Sequence, residues 1–233
     1  MTPSHTKLYG ACKRKLQARE ETVIQAYRTL TGRESLPDDQ EYWTLCGPLV
    51  DRYGAFSETS DLGHVLSSGI VRRASKAHGV ERSLTTHENN FKAVEEHFPR
   101  GYRPHLHHGD LIEVMKEASA SGYLNPGLVN LDTIHEPERA SRLLGEVLNI
   151  LNYLPGRKLV VLNTIVEQKV RGRRFTRQQL EEKILENPFC LKCVDEYSWH
   201  TFQADYAYGG TGGRSRTTML TTWYYYPYEK AAR

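Results

Sequence analysis

The 233-residue sequence predicts an α/β chain whose doubly wound, mostly parallel sheet ends in a C-terminal antiparallel hairpin. Three observations predict it. The first is Leu128-Val-Asn-Leu-Asp132, a short apolar run that ends in a carboxylate, with a helix following at once. The second is that helix: Ala140, Leu143, Leu144, Val147, Leu148 and Leu151 form one apolar stripe that must pack on a sheet. A further apolar run, Leu159 to Val166, follows it, and strand, helix, strand at this spacing is a parallel βαβ unit. The third is a pair of β-rich runs, Trp199 to Tyr208 and Thr217 to Tyr226, joined by Gly209-Gly-Thr-Gly-Gly213. Adjacent strands with a glycine-rich link pair antiparallel.

The other elements follow in order. Residues 5–31 read as a basic helix, with Lys13-Arg14-Lys15 followed by Val23, Ile24, Tyr27 and Leu30. Gly32 stops it, and Leu36-Pro37-Asp38-Asp39 turns the chain. A strand from Tyr42 enters a tight turn at Cys46-Gly47-Pro48, and a helix spans Ser57 to Ile70, closed by Gly69. His78-Gly-Val-Glu81 is a very short strand ending in an acid. Thr85 to Phe98 is a helix that Thr85-x-x-Glu88 opens as a capping box. Arg103 to Asp110 is a second short strand ending in an acid, and Leu111 to Ala120 is helical. Beyond Val166, Thr176-x-x-Gln179 caps a helix carrying Leu180, Ile184 and Leu185. The sequence thus divides into a basic helical extension, residues 1–40, and an α/β domain, residues 41–233.

Composition narrows the class. A hydrophobic fraction of 39% and a charged fraction of 25% suit a globular chain. No apolar run approaches the ~20 residues that span a bilayer, so no membrane partner is expected. Met-Thr-Pro-Ser-His lacks the apolar core of a secretory signal. Cys12, Cys46, Cys190 and Cys193 are too scattered to staple the chain, which points to a reducing, cytoplasmic setting. A net charge of +3 does not by itself imply a nucleic-acid partner.

Four strand ends carry chemistry-bearing residues: Cys46-Gly47-Pro48, Glu81, Gly109-Asp110-Leu111 and Asp132. In open α/β sheets ligands bind at the carboxyl ends of the strands. An acid in that position also serves plainly as the N-cap of the next helix. From about Glu41 to Tyr226 the order of these residues resembles the class I S-adenosylmethionine-dependent methyltransferases, whose sheet is Rossmann-like with an antiparallel last strand. The resemblance implies S-adenosylmethionine as cofactor. Cys46, Gly47 and Pro48 then correspond to the Gly-rich turn at its methionyl end, with Leu45 and Leu49 where that family has glycines. Glu81 corresponds to the acid that accepts from the ribose hydroxyls. The interval from Gly47 implies an insertion around Asp51–Ser60. Gly109, Asp110 and Leu111 correspond to the adenine end, and Asp132 to a polar residue facing the transferred methyl.

Other motifs bear on the reaction. After Asp132 stands Thr133-Ile-His135-Glu136 instead of the Asn/Asp-Pro-Pro-Tyr/Phe of amino-directed enzymes or a Pro-Cys nucleophile. Asn163 or Thr164 occupies the region where many ribose 2′-O enzymes have lysine. His135, with a pKa near neutrality, is a candidate general base beside Asp132. Lys169, Arg171, Arg173, Arg174 and Arg177 crowd one loop, and Arg214 and Arg216 flank the hairpin link. Closely spaced guanidiniums suit phosphate, which makes a nucleic acid the first expectation for the acceptor; a solvated basic loop followed by the acids Glu181 and Glu182 is the plain alternative. Two alternatives stand beside methyl transfer. One is a non-catalytic binding module of the same fold, which Leu45 and Leu49 favour. The other is a nuclease similar to the PD-(D/E)xK enzymes, using Asp132, Glu167 and Lys169. His105, His107 and His108, with Asp110 or His135, do not complete a tetrahedral set, so no metal is expected. Cys190-x-x-Cys193 lacks a second pair and reads as two ordinary thiols. The alternating Trp223-Tyr-Tyr-Tyr226 run is half core and half a surface able to stack on bases. Nothing in the sequence sets the oligomeric state.

Overall fold

The structure, a computed structural model, describes residues 13–133, 137–166, 169–170, 173–174, 176–209 and 216–229. Two compact units divide the chain, Met1–Leu124 and Asn125–Arg233. The seven-stranded sheet runs in the order β3 (His105–His108), β2 (Ala77–Glu81), β1 (Glu41–Leu45), β4 (Pro126–Thr133), β5 (Lys158–Val166), β9 (Arg216–Tyr226), β8 (His200–Gly209), mostly parallel with an antiparallel C-terminal pair. This is the doubly wound arrangement the sequence predicts.

In the first unit, α1 (Lys13–Arg19), a π-helical segment (Glu20–Gln25) and α2 (Ala26–Thr31) run consecutively. Gly32 ends them in the left-handed region at φ 67°, its N–H returning to Arg28 O at 2.9 Å. Val23, Ile24 and Tyr27 are buried, and Arg19 is ion-paired with Asp61 while donating to Thr59 O at 2.9 Å. These contacts pack the helices into the first unit. β1 (Glu41–Leu45), β2 (Ala77–Glu81) and β3 (His105–His108) pair in parallel, with Trp43 opposite His78 and His78 opposite His105. Between them lie α3 (Asp61–Ser67) and α4 (Leu84–His97), and α5 (Leu111–Ala120) follows β3.

Two helix starts differ from expectation. The segment from Ser57 is a turn, closed by Ser60 N–H to Ser57 O at 3.1 Å, and the helix begins only where Ser60 Oγ accepts from Gly63 N at 3.0 Å. In α4 the cap is Ser83, whose hydroxyl accepts from Thr86 N at 3.3 Å. Thr85 therefore lies inside the first turn and does not open a capping box. β3 also starts two residues later than the Arg103 expected from the sequence.

The second unit contains β4 (Pro126–Thr133), α6 (Pro137–Leu151) and β5 (Lys158–Val166), then the two-residue ladder of β6 (Lys169–Val170) and β7 (Arg173–Arg174). α7 (Arg177–Leu185), α8 (Pro188–Asp195), β8 (His200–Gly209) and β9 (Arg216–Tyr226) complete it. β4 and β5 are parallel, whereas β5–β9 and β9–β8 are antiparallel. Leu144, Val147, Leu148 and Leu151 of the α6 stripe are fully buried. Each such side chain contributes about 2 kcal/mol relative to exposure. Thr176 and Gln179 form the expected reciprocal capping box. α8 is short and was not legible in the sequence; Asn187 caps it, with Pro188 opening the helix.

Candidate functional site

In the first unit β1 ends in the turn Cys46–Leu49. Gly47 takes φ 42°, a left-handed value that favours glycine, and nothing lies within 4 Å of where a Cβ would stand. The turn is knitted to α4 by Asn90, which is 1% exposed. The Asn90 amide donates to Gly47 O at 2.7 Å and its Oδ1 accepts from Leu49 N at 2.7 Å. Cys46 N donates to Val80 O at 3.1 Å, joining the turn to β2. Cys46 itself is buried, and desolvation, with the charges of Glu81 and Asp61 behind it, pushes its thiol well above the ordinary range. It is a neutral packing group, not a nucleophile. Leu49 is fully buried, so the position where the family's glycine is expected holds a core side chain. Pro48 is half-buried.

Glu81 ends β2, half-buried, with Oε1 accepting from Ser83 N at 2.8 Å. Gly109 N donates to Glu81 O at 3.0 Å and ties the end of β3 to that of β2. Asp110 follows, and its Oδ1 accepts from Ile112 N at 2.9 Å as the N-cap of α5. Its Oδ2 is ion-paired with the Arg82 guanidinium. Asp110 thus carries the plain capping role and a charge contact together. Leu111 is buried and supports the strand ends from the core.

In the second unit Asp132 stands one residue from the end of β4, half-buried and in register with Asn163. Asn163 Nδ2 donates to Asn130 Oδ1 at 3.2 Å, and Thr221 Oγ1 donates to Asn163 Oδ1 at 2.7 Å. All three are buried, so β4, β5 and β9 share a satisfied polar ladder within their apolar faces. His135 lies outside the described residues, as do Glu167, Arg171 and Arg214. Lys169, Arg173 and Arg174 belong to β6 and β7, and Arg216 begins β9. Arg177 is exposed and pairs with Glu181 at 2.6 Å, one helical turn on. β4 and β5 are parallel strands joined through α6, whereas the nuclease reading needs its acids on neighbouring strands of one hairpin.

The histidines of β3 belong to a ring cluster. Trp43, His78 and His105 sit side by side across the three strands, His78 being 4.2 Å from Trp43 and 4.8 Å from His105 by ring centroids. His78 Nδ1 lies 3.1 Å from His107 Nε2, and Glu41 Oε1 lies 3.7 Å from His78 Nε2. His108 points elsewhere, with Nε2 3.1 Å from Arg82 O. Among the described residues no group of three or more His, Cys, Asp or Glu side chains is arranged to hold a metal ion. Burial pushes the Cys190 and Cys193 thiols up to about 12 and about 11.

Sequence reasoning did not find Asn90, Arg82 or the Asn130–Asn163–Thr221 ladder. Asn90 had a signal: it shares the core-facing side of α4 with Ala93 and Val94 at helical spacing.

No family model matches the sequence, and no curated protein matches it either. Solved structures do. A Streptococcus mutans protein assigned as a SAM-dependent methyltransferase superposes over 86% of this chain with TM-score 0.51 and 11% identity. A methyltransferase complexed with SAH does so over 86%, with TM-score 0.51 and 12% identity. The chain spans about half of each, 48% of their lengths. The methyltransferase domain of bacterial CtHen1 matches over 91% of this chain and 97% of its own, with TM-score 0.52 and 12% identity. Among the described residues no helix is long and apolar enough to cross a membrane. With its strand order and its antiparallel C-terminal pair, the chain has the fold of the class I S-adenosylmethionine-dependent methyltransferases.

Proposed function

We propose that this chain is an S-adenosylmethionine-dependent methyltransferase. One observation carries the reading. The end of β1 bears a left-handed Gly47 with open space above it, and the next two parallel strands end in Glu81 and Asp110. A glycine with nothing over it lets a ligand approach the backbone, and an acid at each neighbouring strand end offers acceptors for hydroxyl and amino donors.

When bound, S-adenosylmethionine supplies an electrophilic methyl group on a positively charged sulfur. The chain's residues have the remaining tasks. Ser83 N holds one Glu81 oxygen, which fixes the carboxylate for the ribose hydroxyls. Asp110, oriented by its cap to Ile112 and by Arg82, serves the adenine amino group. Cys46, Gly47 and Pro48 line the methionyl end, while Gly109 and Leu111 shape the adenine end. Asp132 faces the acceptor, with His135 as the base that takes its proton. Methyl transfer depends mainly on positioning and loss of water along the line of attack, so a strong acid–base pair is not required.

The acceptor in this reading is a nucleic acid, on the strength of Lys169, Arg171, Arg173, Arg174, Arg177, Arg214 and Arg216; that warrant is electrostatic. Residues 1–40 form an extension to a domain spanning 41–233, working in the cytoplasm. A second reading, a binding module of the same fold without catalysis, is favoured by the fully buried Leu49. Calorimetric titration of the purified protein with S-adenosylmethionine separates the two. Micromolar binding supports the enzyme. Neither heat nor a thermal shift at millimolar ligand, with the chain folded, rejects it.

A further inference from the structure

The Cys46–Leu49 turn has few backbone donors, and their destinations differ. Cys46 N is bonded to Val80 O, Leu49 N to Asn90 Oδ1, and Pro48 has no N–H. That leaves the Gly47 N–H as the turn's donor toward a ligand among the described residues. Asn90 makes the difference. It reaches across 41 positions to Leu49 and 43 to Gly47, and its amide nitrogen also lies 3.9 Å from Cys46 Sγ. A buried amide satisfied at both ends is costly to disturb, and here both ends grip the same turn.

From this geometry we infer that Asn90 is a positioning residue for the methionyl end of the cofactor, holding the turn so that Gly47 N–H is its donor to the ligand. The inference rests on the methyltransferase reading and deepens it. It also explains how a turn without the flanking glycines keeps its shape. Leu49 anchors in the core and Asn90 replaces the freedom of glycine with two fixed hydrogen bonds.

The test compares Asn90→Ala with Val94→Ala, a buried change on the same helix one turn further along. Two quantities are read: S-adenosylhomocysteine affinity by calorimetry, and amide hydrogen exchange of the peptide containing Leu49. Asn90→Ala is expected to weaken S-adenosylhomocysteine about tenfold, the worth of one well-placed hydrogen bond. It should also speed exchange at Leu49. Val94→Ala should lower the melting temperature while leaving affinity within about twofold. Asn90→Asp, which keeps the acceptor for Leu49 and loses the donor to Gly47, should fall between parent and alanine; it carries the comparison if Asn90→Ala does not fold. Parental affinity in the Asn90 variants, or an equal loss in Val94→Ala, overturns the inference alone. Absence of binding by the parent protein overturns the methyltransferase reading and this role with it.

Discussion

His78 Nδ1 and His107 Nε2 face each other at 3.1 Å in rings only 7° from parallel, with centroids 5.4 Å apart. Rings that meet edge to edge in one plane share a single proton between the two nitrogens. Both cannot be fully protonated without turning two N–H groups on each other. The pair therefore reads as a hydrogen bond and not as the bite of a metal site.

That relationship sets a pH dependence. Burial, then the neighbouring His78, His105 and His87, lowers the His107 pKa from 6.5 to about 4, against a smaller opposing effect of Glu41. Burial, then the neighbouring His78 and more weakly Lys76, shifts His105 the same way. The unfolded chain takes up protons near pH 6.5 that the folded chain refuses until about pH 4, so it binds more protons across that window. This contribution to stability is fully present above about pH 6.5 and is lost progressively as the pH falls toward about 4. Urea midpoints at pH 7 and pH 5 check this: the parent should lose more than His107→Gln, which keeps a polar side chain but does not titrate. Equal losses would exclude His107 as the source.

Packing between β1 and β2 gives a second expectation. A Cβ on Gly79 would stand 2.9 Å from both Cβ and Sγ of Cys46 and 3.2 Å from Leu106 Cδ2. Gly79→Ala should cost about 1–3 kcal/mol, as overpacking of a filled core does. Adding Cys46→Ala removes only the sulfur contact and should recover part of the loss. Chemical denaturation of the single and double variants measures both steps; a neutral Gly79→Ala would mean the strands separate at little cost.

The acceptor is testable through salt. If the basic loop engages a nucleic acid, affinity should fall steeply with ionic strength, by about 0.9 logarithmic units of slope for each neutralised phosphate. Alanine at Arg171, Arg173 and Arg174 together should flatten that slope and leave cofactor affinity unchanged. A variant with the parental slope on both DNA and RNA would leave the loop as a solvated surface.

What was legible in the sequence was mostly what local pattern determines. α5 spans Leu111–Ala120 as expected, because an apolar period and a capping Asp110 both mark its start. The α6 stripe is buried as its spacing requires, with Leu143 alone at its partly exposed margin. The start of α4 was misjudged because Ser83 and Thr85 are both chemically able to cap, and only backbone geometry chooses between them. The site was harder. Strand-end acids stand out against apolar runs, but the Asn90 bonds and the His78–His107 pair join residues far apart in the chain. Thr221 and Asn163 are 58 positions apart and become partners only once β9 lies beside β5. Helical periodicity reports which residues face inward, not which distant group each will meet.

The pairing of β5 with β9 also has a consequence during synthesis. Lys158 meets Tyr226 and Val166 meets Thr218, so β5 receives its neighbour only after α7, α8 and β8 have been made. Until then the nascent chain carries Leu159-Val-Val-Leu162 with one row of backbone groups open to any passing strand. An unpaired strand edge of that kind invites misassociation in the interval, so a holding chaperone or a lower growth temperature should raise the yield of folded chain.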